Sequence, residues 1–116
     1  MISRPENKLT PAFAMSRVPE NREQRFSTLL KHGSMSVEIY APREHDPQEA
    51  HERDELYVIL SGTGQFMKAG ERQRFEPGEV LFVPAGVDHR FEDFSDDFAT
   101  WVIFYGPDGG EDPEPV

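Results

Sequence analysis

Carboxylate and imidazole side chains recur at short spacing in the run Glu49-Ala50-His51-Glu52-Arg53-Asp54-Glu55-Leu56-Tyr57-Val58-Ile59. Successive side chains on a strand point to opposite faces, so Glu49, His51, Glu55, Tyr57 and Ile59 share one face wherever the strand direction is kept. A bend near Arg53 would weaken that parity. Ionisable groups on a half-buried face cost free energy unless they pair or bind a cation. Imidazole nitrogen with carboxylate oxygen is a normal donor set for divalent Mn, Fe, Co, Ni or Zn. A second imidazole, His89, follows the turn Pro84-Ala85-Gly86 and starts another apolar run. His51, Glu55 and His89 would make a facial triad with open positions for water, substrate or oxygen, and Glu49 is a candidate fourth donor. The plainer readings stay open. Glu55 could pair with Arg53 or Arg90, His51 could be a surface histidine, and His89 could be an exposed loop residue. His32 reads as a turn residue. His45, in the loop from Pro42 to Pro47, reads as solvated and could gate the site.

Elements rich in β-branched and large apolar residues surround these positions. Arg25–Lys31 and Met35–Tyr40 flank the turn cluster His32-Gly33-Ser34 and read as a hairpin. Glu55–Leu60 reads as a strong strand. Gln65–Lys68 and Arg72–Phe75 flank Ala69-Gly70-Glu71, a tight hairpin turn. Glu76-Pro77-Gly78-Glu79 fits a type II turn, with proline at the first central position and glycine at the second. Val80–Val83, His89–Phe91 and Thr100–Tyr105 complete a count of about nine short strands, with no convincing helical periodicity. Closely spaced strands of this kind imply an antiparallel sandwich or barrel. Residues 1–24 are polar and proline-punctuated, so an irregular arm is expected there, with Leu9, Phe13 and Met15 as anchors to the body or to a second subunit. Residues 107–116 are expected to be an acidic, disordered tail.

Composition narrows the function. The 116 residues suffice for one domain and one core. The absence of cysteine excludes disulfides, thiolate metal sites and cysteine nucleophiles. A formal net charge of -10 repels phosphate backbones and disfavours a nucleic-acid partner. No signal peptide and no membrane-spanning apolar run are visible, so a cytoplasmic protein without a membrane partner is expected.

The spacing of the two histidine segments resembles that of the cupins. The first cupin motif, H-x-H-(x)3-4-E-(x)6-G, is matched by Glu49-x-His51-xxx-Glu55-(x)6-Gly62. The second, G-(x)5-P-x-G-xx-H-xxx-N, is matched by Gly78-(x)5-Pro84-x-Gly86-xx-His89-xxx-Asp93. Glu49 stands in place of the first histidine, and Asp93 in place of the asparagine. The resemblance implies an all-β fold, a single-domain cupin double-stranded β-helix or jelly-roll barrel over residues 25–106. It implies His51, Glu55 and His89 as metal ligands and does not extend to Glu49. It implies a divalent transition metal (Fe, Mn, Ni, Co or Zn), a small-molecule ligand in the barrel and a homodimer. Small cupins include dioxygenases, isomerases, epimerases and lyases, so a metal-dependent enzyme is expected, with Tyr57 as candidate acid or base ahead of Glu49 and His45. Two other readings stand beside it: a non-enzymatic small-molecule binding or sensing module, with or without metal, and a partner protein whose metal site has decayed. Gly62, Gly78, Pro84 and Gly86 are expected to make corners. Leu56, Val58 and Leu60 are expected on the face opposite the site, as inter-sheet core or dimer surface.

Overall fold

The computed structural model describes residues 8–21, 23–47 and 49–112. The first seven residues of the expected arm and the last four of the expected tail lie outside the described residues. Eight strands are present among the described residues: β1 (Phe26–His32), β2 (Met35–Tyr40), β3 (Asp54–Ser61), β4 (Gly64–Lys68), β5 (Glu71–Phe75), β6 (Val80–Val83), β7 (His89–Glu92) and β8 (Ala99–Tyr105). They form a five-stranded sheet ordered β1-β2-β8-β3-β6 and a three-stranded sheet ordered β5-β4-β7, with every pairing antiparallel. Two facing sheets connected by crossovers are the jelly-roll arrangement.

Alternation along the strands fills the space between the sheets. Glu55, Tyr57 and Ile59 of β3 are buried, as are Leu81 and Val83 of β6, and Phe66 and Phe91 of β4 and β7. Phe91 is the hub. Its ring centroid lies 4.8 Å from Tyr57, 5.0 Å from Phe66, 5.4 Å from Phe75 and 4.7 Å from Phe98, in tilted or edge-on geometry. Such aromatic pairs contribute beyond their burial because ring edges meet ring faces. Gly62 makes the corner after β3. It has φ +84, and an added Cβ would stand 2.6 Å from the Phe98 Cα, so only glycine closes this end of the barrel.

A second apolar cluster lies outside the barrel. A six-residue helix, α1 (Pro11–Ser16), departs from the irregular arm read from the sequence. One and a half turns are too short for a periodic signal. The Thr10-Pro11 pair is the local cue, since the Thr10 side chain accepts a hydrogen bond from the Phe13 N–H at 3.2 Å and proline occupies the first turn. Ala14 is fully buried with Leu29, Ile39, Ala41 and Ala99, and Leu9 and Phe13 pack against that cluster. Met15, the third expected anchor, is instead exposed. Leu60 belongs to this outer cluster, and Leu56 and Val58 are half-buried beside it. No helix among the described residues is long and apolar enough to cross a membrane.

Candidate metal centre

The two sheets deliver Glu55 and His89 to the same end of the barrel. Glu55 sits at the start of β3 in the large sheet, and His89 at the start of β7 in the small one. His51 precedes β3 and is separated from it by a bend at Glu52 and Arg53. The bend that would have weakened the strand parity therefore exists, yet His51 still reaches the site. The His51 and His89 ring centroids are 5.2 Å apart. His89 Nε2 lies 3.1 Å from Glu55 Oε1, and His51 Nε2 lies 3.8 Å from Glu55 Oε2. One donor atom from each of the three residues lies within 4.8 Å of the others. Glu49 is exposed and stands outside this group.

Burial makes the arrangement chemically unusual. Glu55 and His89 are fully buried. Neither carboxylate oxygen of Glu55 accepts an aligned hydrogen bond, so the 3.1 Å approach of His89 is a charge contact rather than a well-formed bond. A buried carboxylate in that condition is costly unless a cation satisfies it. The partners of His89 point the same way. His89 Nδ1 lies 2.9 Å from the Val87 carbonyl, to which it donates, leaving Nε2 for the site. Tyr57 Oη lies 3.1 Å from the same Nε2. Burial holds the His51 ring below its ordinary pKa, with Glu55 opposing and His89 adding to the effect, so it is neutral near pH 7. Burial also disfavours charge on His89, but the Glu55 carboxylate and the Val87 carbonyl outweigh it and raise the pKa. The donor set of two imidazoles and a carboxylate fits a divalent transition metal.

A pocket of about 280 Å³ opens onto His51 and Glu55 and is walled by Phe26, Val102 and Phe104, with Glu38 and Tyr40. Glu38 and Tyr40 were not singled out in the sequence reading. Their signal was the same alternation that found Glu55: Ser36, Glu38 and Tyr40 share the inward face of β2. Thr28 Oγ1 donates to Glu38 Oε2 at 3.1 Å. Asp46, also unanticipated, is buried; one oxygen accepts from Tyr40 Oη and the other from the Phe91 N–H at 2.9 Å. Burial first, then the Asp46 charge, drives the Tyr40 pKa well above the ordinary phenol value.

Tyr57 is fully buried beneath His89 rather than among the residues lining the pocket. Arg53 places its guanidinium 5.5 Å from the Phe104 ring centroid and donates to the Ser34 carbonyl, and Arg90 is exposed. His32 and His45 are exposed. Asp93 has φ +51, a left-handed conformation that Asn and Asp tolerate better than other side chains.

A double-sheet barrel carrying a two-histidine, one-carboxylate group at its mouth, two of the three residues buried, defines a class of protein, and sequence comparison agrees with it. The family model described as Cupin domain matches residues 36–105. The chain belongs to the cupin family. It is 36% identical over 102 residues to an uncharacterised protein of Streptomyces coelicolor, covering 84% of this chain and 97% of that one. It is 37% identical over 67 residues to an acireductone dioxygenase of Leishmania infantum, covering 53% of this chain but 20% of that enzyme. A Cupin 2 conserved barrel domain protein from Salinispora arenicola superposes with a TM-score of 0.64 at 18% identity, covering 91% of this chain and 89% of the other.

Proposed function

We propose that this cupin is a metal-dependent enzyme acting on a small molecule, with His51, Glu55 and His89 holding one divalent transition metal. The observation that carries the reading is Glu55: a fully buried carboxylate, flanked by two imidazoles, with neither oxygen in an aligned hydrogen bond. A bound metal would supply Lewis acidity, or a site for oxygen beside the substrate. The chain's own residues supply the rest. The Val87 carbonyl orients His89, and Tyr57 buttresses the same ring from the core, which makes Tyr57 a positioning residue before an acid or base. Phe26, Val102 and Phe104 give the pocket apolar walls that favour a small ligand with an apolar part and exclude water from one side of it. Glu38 is the carboxylate in that pocket, outside the donor group, that could exchange a proton with a ligand.

The test is turnover by metal-free and metal-reconstituted protein over a panel of small oxygenated substrates. Metal-dependent turnover, lost in His51→Ala, supports the proposal. Ligand binding with metal but without turnover on any substrate would favour a sensing module. Full activity without metal would overturn the proposal.

A further inference from the structure

Asp54 precedes Glu55 and so points away from the donor group, yet it is only 5% exposed. Each of its oxygens accepts one backbone N–H: Oδ1 from Ala85 at 2.9 Å and Oδ2 from Glu111 at 2.8 Å. Ala85 lies in the turn that leads to His89. The next residue of that turn, Gly86, donates its N–H to the His51 carbonyl at 2.7 Å. The Gly109 N–H donates to the Glu52 carbonyl at 2.6 Å. Three stretches far apart in sequence, 51–54, 84–86 and 109–111, are thus tied together around one carboxylate. The approach is close. An added Cβ at Gly110, which has φ +89, would stand 2.9 Å from Asp54 Oδ1 and 3.2 Å from the Ala85 Cβ.

We propose that Asp54 and residues 109–111 form a latch that holds the His51 backbone in register with the His89 turn, so that Asp54 is a positioning residue of the metal centre. The proposal rests on the metal reading above. It explains why a segment that reads as a solvated acidic tail returns to the barrel. It also explains how His51 keeps its place, because it lies before β3 begins and gains nothing from the β3 ladder. A carboxylate suits the role because both of its partners are donors. An asparagine could accept from one of them and would turn its own NH2 toward the other.

The experiment uses the full chain, stripped of metal and titrated with Co(II). Asp54→Asn and Gly110→Val are compared with wild type and with Asp108→Asn, a change at an exposed position in the same segment. The readouts are the Co(II) dissociation constant, the visible absorption spectrum of the bound ion, and the melting curve of the metal-free protein. The expected result is a tenfold or greater loss of Co(II) affinity and an altered spectrum in both latch variants, with cooperative melting retained and Asp108→Asn unchanged. Should Asp54→Asn fail to fold, Gly110→Val carries the test. Wild-type affinity and spectrum in a folded latch variant would overturn the proposal. Should wild type bind no Co(II), the metal reading fails instead, and hydrogen exchange at Gly86 and Glu111 decides the latch. Faster exchange at Gly86 in Gly110→Val sustains a joined latch, and unchanged exchange overturns it.

Discussion

Glu55→Gln separates a metal centre from an ordinary buried ion pair by the sign of its effect. Glutamine keeps the shape of the side chain and removes the charge. The comparison is made at a pH above the raised His89 pKa, where neither imidazole offers positive charge to the carboxylate. A buried polar group without a partner costs about 1–3 kcal/mol, and more when charged. With an unfolding entropy of about 2.1 cal/mol/K per residue, a chain of 116 residues shifts its Tm by about 4 °C for each kcal/mol. The glutamine keeps the cost of a buried polar group and sheds only the excess due to the charge, so the metal-free variant is expected to melt above metal-free wild type, by about 4 °C for each kcal/mol of that excess. The metal response runs the other way. At a free metal concentration about a hundredfold above Kd, binding stabilises the native state by about 2.7 kcal/mol, or about 11 °C for wild type. The variant is expected to lose most of that rise. Calorimetric melts of both proteins, with and without Co(II) or Zn(II), give all four numbers. A metal-free variant that melts below wild type, together with a wild type indifferent to metal, would rule out a metal centre at Glu55.

Four further outcomes follow from particular residues. Glu49→Ala is expected to change metal affinity by less than about twofold, because Glu49 is exposed and outside the donor group; isothermal titration checks it. Phe91→Ala is expected to cost about 3–5 kcal/mol in denaturant unfolding, as truncating a buried aromatic hub leaves a cavity; a loss under about 1 kcal/mol would contradict the packing described. Burial raises the Glu38 carboxyl above its ordinary value of 4.5, with Thr28 opposing and Glu55 adding to the effect. A raised carboxyl stabilises the fold below its unfolded pKa, and that contribution disappears as pH rises through the folded pKa. Wild type is thus expected to lose stability relative to Glu38→Gln between acid and neutral pH, and the opposite slope in paired melts would count against it. On the outer face, Leu56 pairs with Phe82 and Val58 with Val80, leaving Phe82 43% and Val80 59% exposed. We expect light scattering to show a homodimer that Phe82→Glu dissociates; a monomeric wild type contradicts this.

Much of this architecture was legible in the sequence because its signals are local. Period-two alternation marked β3 and its inward face, and the glycine and proline corners marked where strands end. The spacing of His51, Glu55 and His89 anticipated a juxtaposition that the two sheets then supply. What escaped depends on partners distant in the chain. Glu38 and Tyr40 matter because β2 lies beside β8 and opens onto the same pocket, which no window along β2 contains. Residues 107–112 have the composition of a solvated tail, and the Asp54 carboxylate and the Glu52 carbonyl, some fifty residues earlier, give them a place to dock. Helix α1 is too short for periodicity and is held by Leu29, Ile39 and Ala99 from three different segments.

The most direct measurement is anomalous X-ray scattering from crystals of protein purified without added metal and then soaked with Co(II). One strong peak is expected within ligand distance, about 2.0–2.2 Å, of a nitrogen of His51, a nitrogen of His89 and a carboxylate oxygen of Glu55. Absence of a peak there, with both Glu55 oxygens hydrogen-bonded to protein or water instead, would contradict it.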